Sequence, residues 1–317
     1  MTQRITGVVL AFVTAVISGV AVYLNSDAVK HFHDQTVYTT AKNGVAGVLL
    51  IGIWAAAGWR TGRASPRTGG VGQSHPVGPR RILAFLALAI VGGSVPFALF
   101  FQGLAAAQAT QAAFLHKTLI VWVALLAVPL LRERVGWPHL VAILLLLVGQ
   151  ALLAGRAGTV AFGRGEAMIL AATLLWSVEV VYVKRLLRRF SSHLLAVVRM
   201  AGGTALLVAW LALTGKFHQL IALDAAQWQW VIVTGVLLTG YVATWYAALA
   251  RAQAVDVTAV LVFGAVITAL LSAMFGSGSL KVPALVAITV GCGLIAWAAL
   301  RYSPNARKPV VTASPSR

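Results

Sequence analysis

The chain has 317 residues, of which 60% are hydrophobic and only 10% are charged, and its mean hydropathy is +0.88. This composition excludes a water-soluble globular protein, because so few polar residues cannot cover a globule of this size, and it indicates a polytopic membrane protein. The net charge of +18 would suggest nucleic-acid binding in a soluble protein. In a membrane protein, cations collect in cytoplasmic loops and set the orientation, so we expect a lipid bilayer and no nucleic acid as partner.

Ten apolar segments follow one another along the chain, and each is able to form a membrane helix. They cover residues 5–24, 37–59, 82–104, 108–131, 138–153, 167–183, 193–214, 228–249, 257–275 and 282–300. The separators are rich in charge, Gly and Pro and leave no room for a soluble domain. The sequence therefore predicts an all-α polytopic membrane protein with ten transmembrane helices. Residues 302–317 are predicted to form a disordered cytoplasmic tail.

The distribution of cations predicts the orientation of these helices. With a cytoplasmic N-terminus, 17 of the 25 Lys and Arg residues fall in inside-facing connections and five in outside-facing ones. This asymmetry predicts that both termini are cytoplasmic, and we expect the cell (plasma) membrane as the location. The first apolar segment lacks a clear cleavage site, which favours a membrane helix over a signal peptide. The single cysteine, Cys292, can form no intrachain disulfide.

An internal repeat divides the chain into two halves. FFQGLAAAQAT, starting at Phe100, aligns without gaps with WYAALARAQAV, starting at Trp245, and the same register continues to Pro138 and Pro283. Each half, residues 5–155 and 165–301, holds five predicted helices. An odd number of helices turns the second half upside down in the membrane. Such inverted repeats are associated with alternating access and with a binding site at the midplane between the halves.

The passages AAFLHKTLIVWVALLAVPLLRERVGWPHLVAILLLLVGQALL and GEAMILAATLLWSVEVVYVKRL, together with the repeat, resemble the drug/metabolite transporter (DMT) superfamily, EamA-domain type. The resemblance implies a secondary transporter of small organic solutes, an exporter or exchanger of amino acids, related metabolites or drugs. No motif in the sequence indicates a cofactor, a metal or a catalytic residue. A homodimer is compatible with the resemblance. Family members usually carry an acidic turn after the fourth helix of each half; here Glu133 supplies it in the first half, whereas residues 276–279 contain no acid.

A membrane-embedded enzyme or a lipid-handling protein is the alternative class. A catalytic carboxylate pair or a set of metal ligands would favour it, and the sequence contains neither an HExxH nor a CxxC motif.

Lys117 is the main candidate for substrate binding. It lies about nine residues, or roughly 14 Å, from the outer end of its helix, close to the bilayer centre. It is interpreted as a cavity cation that attracts a carboxylate or phosphate, or alternatively as the partner of a buried carboxylate such as Glu179. His116, also a candidate, points about 100° away around the helix, which favours a helix–helix hydrogen bond. We expect residues 115–121 and 260–268, which are equivalent in the repeat, to face each other across a central cavity.

The remaining candidates have two interpretations each. Glu179, the only acid well inside a predicted span, is either a proton-coupling carboxylate or a counter-ion to a cation such as Arg199. Lys42 and Arg199 occupy equivalent repeat positions and either reach to the headgroups or form a paired gate. Trp176, Trp245 and Tyr246 are candidate substrate contacts near helix ends, where aromatic residues serve as interfacial anchors or as cavity walls.

Overall fold

The structure is a computed structural model that describes residues 2–61, 78–107, 109–154, 162–275 and 280–301. The tail at 302–317, predicted to be disordered, lies outside these residues. The described part of the chain is all-helical, and a helix covers each of the ten predicted segments. The long helices are α1 (Thr2–Ala28), α2 (Gln35–Thr61), α3 (Pro79–Ala106), α4 (Ala109–Lys117 and Leu119–Leu131), α5 (Trp137–Ala154), α6 (Arg164–Leu186), α7 (Ser192–Leu213), α8 (Ala225–Arg251), α9 (Ala254–Leu261 and Gly264–Phe275) and α10 (Val282–Arg301). Two short helical segments, Val29–His31 and Phe217–Ile221, lie in the connections after α1 and α7.

Within the described ranges, eight of these helices are long and apolar enough to cross a membrane, namely α1, α3, α4, α6, α7, α8, α9 and α10. Helix α5 is apolar but shorter. Helix α2 has 27 residues but begins with the polar sequence QTVYTTAKN. Large apolar side chains such as Val48, Leu83 and Leu144 are exposed on the outside of the bundle. An apolar outer surface on a helical bundle suits contact with lipid, so the fold is that of a multi-pass membrane protein.

The packing of the helices follows the sequence repeat. Helix α1 packs against α8 and α9 of the other half, and its equivalent α6 packs against α3 and α4. Helix α2 packs against α8, and its equivalent α7 packs against α3. Three further pairs, α2 with α7, α4 with α9 and α5 with α10, join a helix to its own equivalent. The two halves are therefore interleaved, and the interior of the bundle is formed by both.

Helices α3 and α7 cross closely, and each has an irregular turn at the crossing. Each contains a π-helical turn, Ala89–Ser94 in α3 and Val198–Gly202 in α7. A Cβ atom on Gly93 would collide with the backbone of Arg199, and one on Gly203 would collide with the backbone of Gly93. Small residues allow such close approach between membrane helices. The crossing fixes the backbone of Arg199 against α3.

Helices α4 and α9 are interrupted at equivalent positions. The first part of α4 ends at Lys117 and the second begins after Thr118, while α9 is broken at 262–263. Lys117 thus stands at the C-terminal end of a half-helix, where the partial negative charge of the carbonyl groups favours a cation. The two helices contact each other directly. This direct contact differs from the expectation that the two segments face each other across a central cavity.

Candidate functional site

A cavity of about 200 Å³ lies inside the bundle, between the two halves. Helices α1, α2, α3 and α4 of the first half and α6, α7 and α8 of the second half form its walls. Its lining combines a few charged side chains with many aromatic and apolar ones. The lining residues are Ser18, Ala21, Val22, Asn25, Ser26, Lys42, Phe97, Phe100, Phe101, Leu104, His116, Lys117, Leu119, Trp176, Glu179, Val180, Arg199, Thr234, Leu238, Tyr241 and Trp245.

Lys117 lines this cavity and is only 8% exposed. Its ammonium has no hydrogen-bond or ion-pair partner among the residues that the structure describes. A second, much smaller cavity of about 10 Å³ separates Lys117 from Thr258 and Val262 of α9. Of the two interpretations drawn from the sequence, the structure has the geometry of a cavity cation and not that of a lysine paired with a carboxylate.

His116 lines the same cavity as Lys117. Its ring centroid lies 5.0 Å from that of Phe100 and 5.2 Å from that of Trp176. Its buried Nδ1 has no hydrogen-bond partner in the described part of the chain, which differs from the helix–helix hydrogen bond that we expected. His116 and Lys117 therefore both reach the cavity, although they are adjacent on α4.

Glu179 forms a buried ion pair with Arg199. Arg199 Nη2 donates to Glu179 Oε2 at 3.1 Å, and Arg199 Nε lies 3.0 Å from Oε1. The Tyr246 hydroxyl donates to Oε1 at 2.6 Å. The two charged side chains are 2% and 4% exposed, so Arg199 does not reach the headgroups. A Cβ atom on Gly92 would lie 2.8 Å from the Glu179 carboxyl carbon, so α3 packs tightly over the pair.

Lys42 also turns into the bundle and is 2% exposed. Its Nζ donates to Asn25 Oδ1 at 3.0 Å and lies 3.8 Å from the ring centroid of Phe101 and 4.7 Å from that of Tyr38. These neighbours are neutral, and the contacts with the two rings are cation–π interactions. Lys42 and its repeat equivalent Arg199 thus both line the cavity, but only Arg199 has a carboxylate partner.

The three candidate aromatic residues lie inside the bundle rather than at its ends. Trp176 lines the cavity, and its Nε1 donates to the Gly92 carbonyl at 3.3 Å. Trp245 lines the cavity and stacks on Tyr241 with centroids 6.0 Å apart. Tyr246 is fully buried behind the cavity wall. Sequence reasoning missed Tyr241, although its position four residues before Trp245 places both on one face of α8.

Sequence reasoning also missed Asn25 and the phenylalanines of α3, Phe97, Phe100 and Phe101, as cavity residues. Asn25 carries a signal, because a polar amide near the end of an apolar helix needs a hydrogen-bond partner. The phenylalanines carry none, because in an apolar helix they are equally suited to contact lipid or protein.

A second polar cluster lies at the end of the bundle where α4, α6 and α8 end and α9 begins. Glu133 accepts hydrogen bonds from the backbone N–H groups of Ala254 at 2.7 Å and Val255 at 3.0 Å. Lys184 donates to the carbonyl groups of Leu249, in the last turn of α8, and of Ala252, which follows that helix. His139 Nε2 lies 3.2 Å from Asp256 Oδ1. Burial raises the pKa of the Glu133 carboxyl above its usual range, although the two N–H donors and nearby Lys184 act in the opposite direction.

Comparison with known proteins agrees with this architecture. The EamA-like transporter family matches the chain over residues 5–155 and 163–299. A crystal structure of a protein with 19% sequence identity superposes with a TM-score of 0.71, covering 94% of this chain and 99% of that one. At this identity the likeness concerns the fold alone. No curated protein sequence matches the chain. Because the family match covers both halves, the chain belongs to the EamA-like transporter family of the drug/metabolite transporter superfamily.

Proposed function

We propose that this protein is a secondary transporter of small organic solutes, an exporter or exchanger of amino acids, related metabolites or drugs, which binds its substrate in the cavity between the two halves. The observation that carries the proposal is the cavity itself. It is closed in by helices of both halves and combines aromatic walls with buried charges. Sites of this kind are where ligands bind, and charged residues inside membrane bundles mark transport pathways.

The proposed architecture has ten transmembrane helices in two inverted halves, residues 5–155 and 165–301. Helices α2 and α5 would supply the two spans beyond the eight already described. At 1.5 Å per residue, the 27 residues of α2 and the 18 residues of α5 extend about 40 Å and about 27 Å, against a hydrocarbon core of about 30 Å. The proposed location is the cell membrane with both termini cytoplasmic, which the excess of cations in the inside-facing connections supports.

Transport would proceed by alternating access, in which the two halves tilt against each other around the cavity. The interleaved packing supports this mechanism. The contacts of α1 with α8 and α9 have equivalents in those of α6 with α3 and α4, so the two halves could exchange conformations while the same types of contact are kept. Lys42 and Arg199, at equivalent positions on α2 and α7, are the residues that we propose to act as gates. The polar cluster around Glu133 and Lys184 would hold the cytoplasmic end closed.

The direct test is transport by the purified protein in proteoliposomes. The solutes should include amino acids, nucleosides and organic acids, and protein-free liposomes give the background. Ala21 lines the cavity, so Ala21→Trp should reduce transport at least about tenfold by filling it. Val48 is exposed on the outside of the bundle, so Val48→Trp adds the same side chain on the proposed lipid face and should transport normally. Absence of transport for every solute class would contradict the proposal.

The same experiment addresses the rival class of membrane enzyme or lipid-handling protein. Mass spectrometry of the solutes and lipids recovered from the proteoliposomes would detect chemical conversion or lipid movement. A secondary transporter returns its solutes unchanged.

A further inference from the structure

The cavity contains more positive than negative charge. Three cationic side chains, Lys42, Lys117 and Arg199, line it, and Glu179 is the single acid among the lining residues. Each of the four is almost completely buried. A buried charge without a partner of opposite sign is costly, so the imbalance identifies a place where a further negative charge would be stabilising.

The single acid is fully engaged. Both Glu179 oxygens accept from Arg199 or lie within ion-pair distance of it, and Oε1 also accepts from the Tyr246 hydroxyl at 2.6 Å. The α3 backbone at Gly92 packs against the carboxyl carbon. Glu179 therefore cannot receive the ammonium group of a ligand unless it gives up these partners, and such a loss would leave Arg199 buried and unpaired.

The two lysines are available for a ligand anion. Lys117 has no partner of opposite charge among the described residues, and Lys42 is held only by an amide oxygen and two aromatic rings. The space around the lysines is walled by rings, including Phe100 beside His116 and Trp176. A ligand that fits this lining has an anionic group for a lysine and an apolar body for the rings.

We propose that the cavity binds an organic carboxylate with an apolar, ring-sized body and no ammonium group, and that Lys117 is the main cation for its carboxylate. This proposal rests on the proposed function and narrows it from small organic solutes to organic acids. An added ammonium group is repelled by the two lysines, which have no carboxylate partner among the described residues, and it finds no free carboxylate. Zwitterionic and cationic solutes are therefore bound more weakly than the matching acid.

Three ligands of similar size distinguish binding of an anion from binding of a zwitterion or a cation. 3-Phenylpropionate carries a carboxylate only, phenylalanine carries a carboxylate and an ammonium group, and 2-phenylethylamine carries an ammonium group only. Isothermal titration of each into the full-length protein in detergent at pH 7 gives the dissociation constant directly. We expect 3-phenylpropionate to bind at least about tenfold more tightly than phenylalanine and 2-phenylethylamine to show no measurable binding. Equal or reversed affinities, or no binding of 3-phenylpropionate, would overturn the proposal.

Two lysine variants test whether the carboxylate of the ligand binds at Lys117. Lys117→Met should weaken binding of 3-phenylpropionate by about 10- to 100-fold, the range expected for loss of a charge-assisted hydrogen bond. Lys30→Met removes an exposed lysine outside the cavity and should leave the affinity unchanged. Wild-type affinity in Lys117→Met would reject the assignment of Lys117, and the ligand series on the wild-type protein remains decisive if that variant does not fold.

The transport assay separates the two proposals. If proteoliposomes move amino acids or nucleosides while 3-phenylpropionate does not bind, the substrate class is wrong and the transport function stands. If no solute moves, the transport function itself fails.

Discussion

The ion pair between Glu179 and Arg199 is the residue-scale feature with the largest expected energetic effect. Because the pair is buried, removing one partner leaves the other as an uncompensated charge, at a cost of about 3–5 kcal/mol. We expect Arg199→Met to lower the thermal stability strongly and Glu179→Gln combined with Arg199→Met to restore much of it. Thermal unfolding of both single variants and the double variant gives the coupling energy. Effects that simply add would show that the two side chains do not interact.

Asp34 and Lys216 provide a residue-scale test that depends on pH. Asp34 Oδ2 lies 2.6 Å from Lys216 Nζ, and Oδ1 accepts from the Thr36 N–H at the start of α2. Partial burial opposes ionisation, but the lysine and the backbone N–H groups outweigh it and hold the pKa of Asp34 below its usual value. The ionised carboxylate therefore stabilises the fold above its usual pKa near 4, and this contribution is lost as the pH falls below that value.

The corresponding variant is Asp34→Asn. We expect a decrease in stability of less than about 1 kcal/mol at pH 7, because Lys216 is half-exposed. At pH 3 the difference from the wild type should shrink. Asp27→Asn, which alters the exposed pair with Lys30, serves as the control and should have little effect at either pH. A difference for Asp34→Asn that grows on acidification contradicts the assignment.

For single residues, the sequence predicted which charged side chains lie inside the bundle better than it predicted their partners. Lys42, Lys117, Glu179 and Arg199 could be singled out because a charge within an apolar segment requires a partner or a cavity. Arg199 and Lys117 were both predicted as possible partners of Glu179, and the sequence could not decide between them because the pairing depends on the rotation of α6 and α7 about their axes. The roles of aromatic residues depend in the same way on which helix face meets lipid.

The close crossing of α3 and α7 is the element-scale feature that positions Arg199. We expect Gly93→Ala to lower the thermal stability and the yield of folded protein, because the new methyl group would collide with the backbone of α7. Gly293 of α10 has open space around it, so Gly293→Ala tests the same substitution without a collision. If the two variants unfolded at the same temperature, the crossing would not be as tight as the structure has it.

The start of α9 is capped by Glu133 from the loop after α4. Glu133→Ala should cost about 1–2 kcal/mol, since both first-turn N–H groups lose their acceptor. Hydrogen exchange should speed up at the amides of Ala254 and Val255. Arg134 is the exposed neighbour, and Arg134→Ala is expected to leave exchange at these amides unchanged. Unaltered exchange in Glu133→Ala would exclude the carboxylate as the cap.

Apolar segments predicted the positions of the helices but not their interruptions. The break in α4 follows Lys117 and has no proline or glycine beside it, whereas the break in α9 at 262–263 is followed directly by Gly264. Pro129, a residue type that would signal a break, lies inside the second part of α4 without ending it. We therefore attribute the break in α4 to packing between helices, which local sequence does not report.

At the scale of the whole molecule, the orientation in the membrane is open to a direct measurement. The only native cysteine, Cys292, is buried, so a Cys292→Ala background is expected to fold and gives a clean starting point. In intact cells, a membrane-impermeant thiol reagent should label Lys30→Cys. Arg188→Cys should react only after the membrane is permeabilised, because its loop is predicted to be cytoplasmic. Labelling in the reverse pattern would invert the topology and exchange the two faces of the cavity.

The repeat is the whole-molecule property that the sequence predicted most directly. Matching Phe100 with Trp245 implied two equivalent halves, and the pairing of α1 with α8 and of α6 with α3 has that equivalence. The position of the cavity relative to α4 and α9 could not be predicted in this way. A repeat specifies which helices are equivalent, but it does not specify which helix faces line a cavity and which pack against each other.

The polar cluster at the Glu133 end breaks the equivalence of the halves in a way that bears on conformational energy. In the repeat register, His139, Lys184 and Asp256 correspond to Ala284, Asn25 and Gln111, which are uncharged. In a protein with two identical halves, the two conformations related by their exchange would have equal free energy and equal populations. A charged cluster at one end without a charged equivalent removes this degeneracy, and a difference of only about 1.4 kcal/mol would make one conformation ten times as populated as the other.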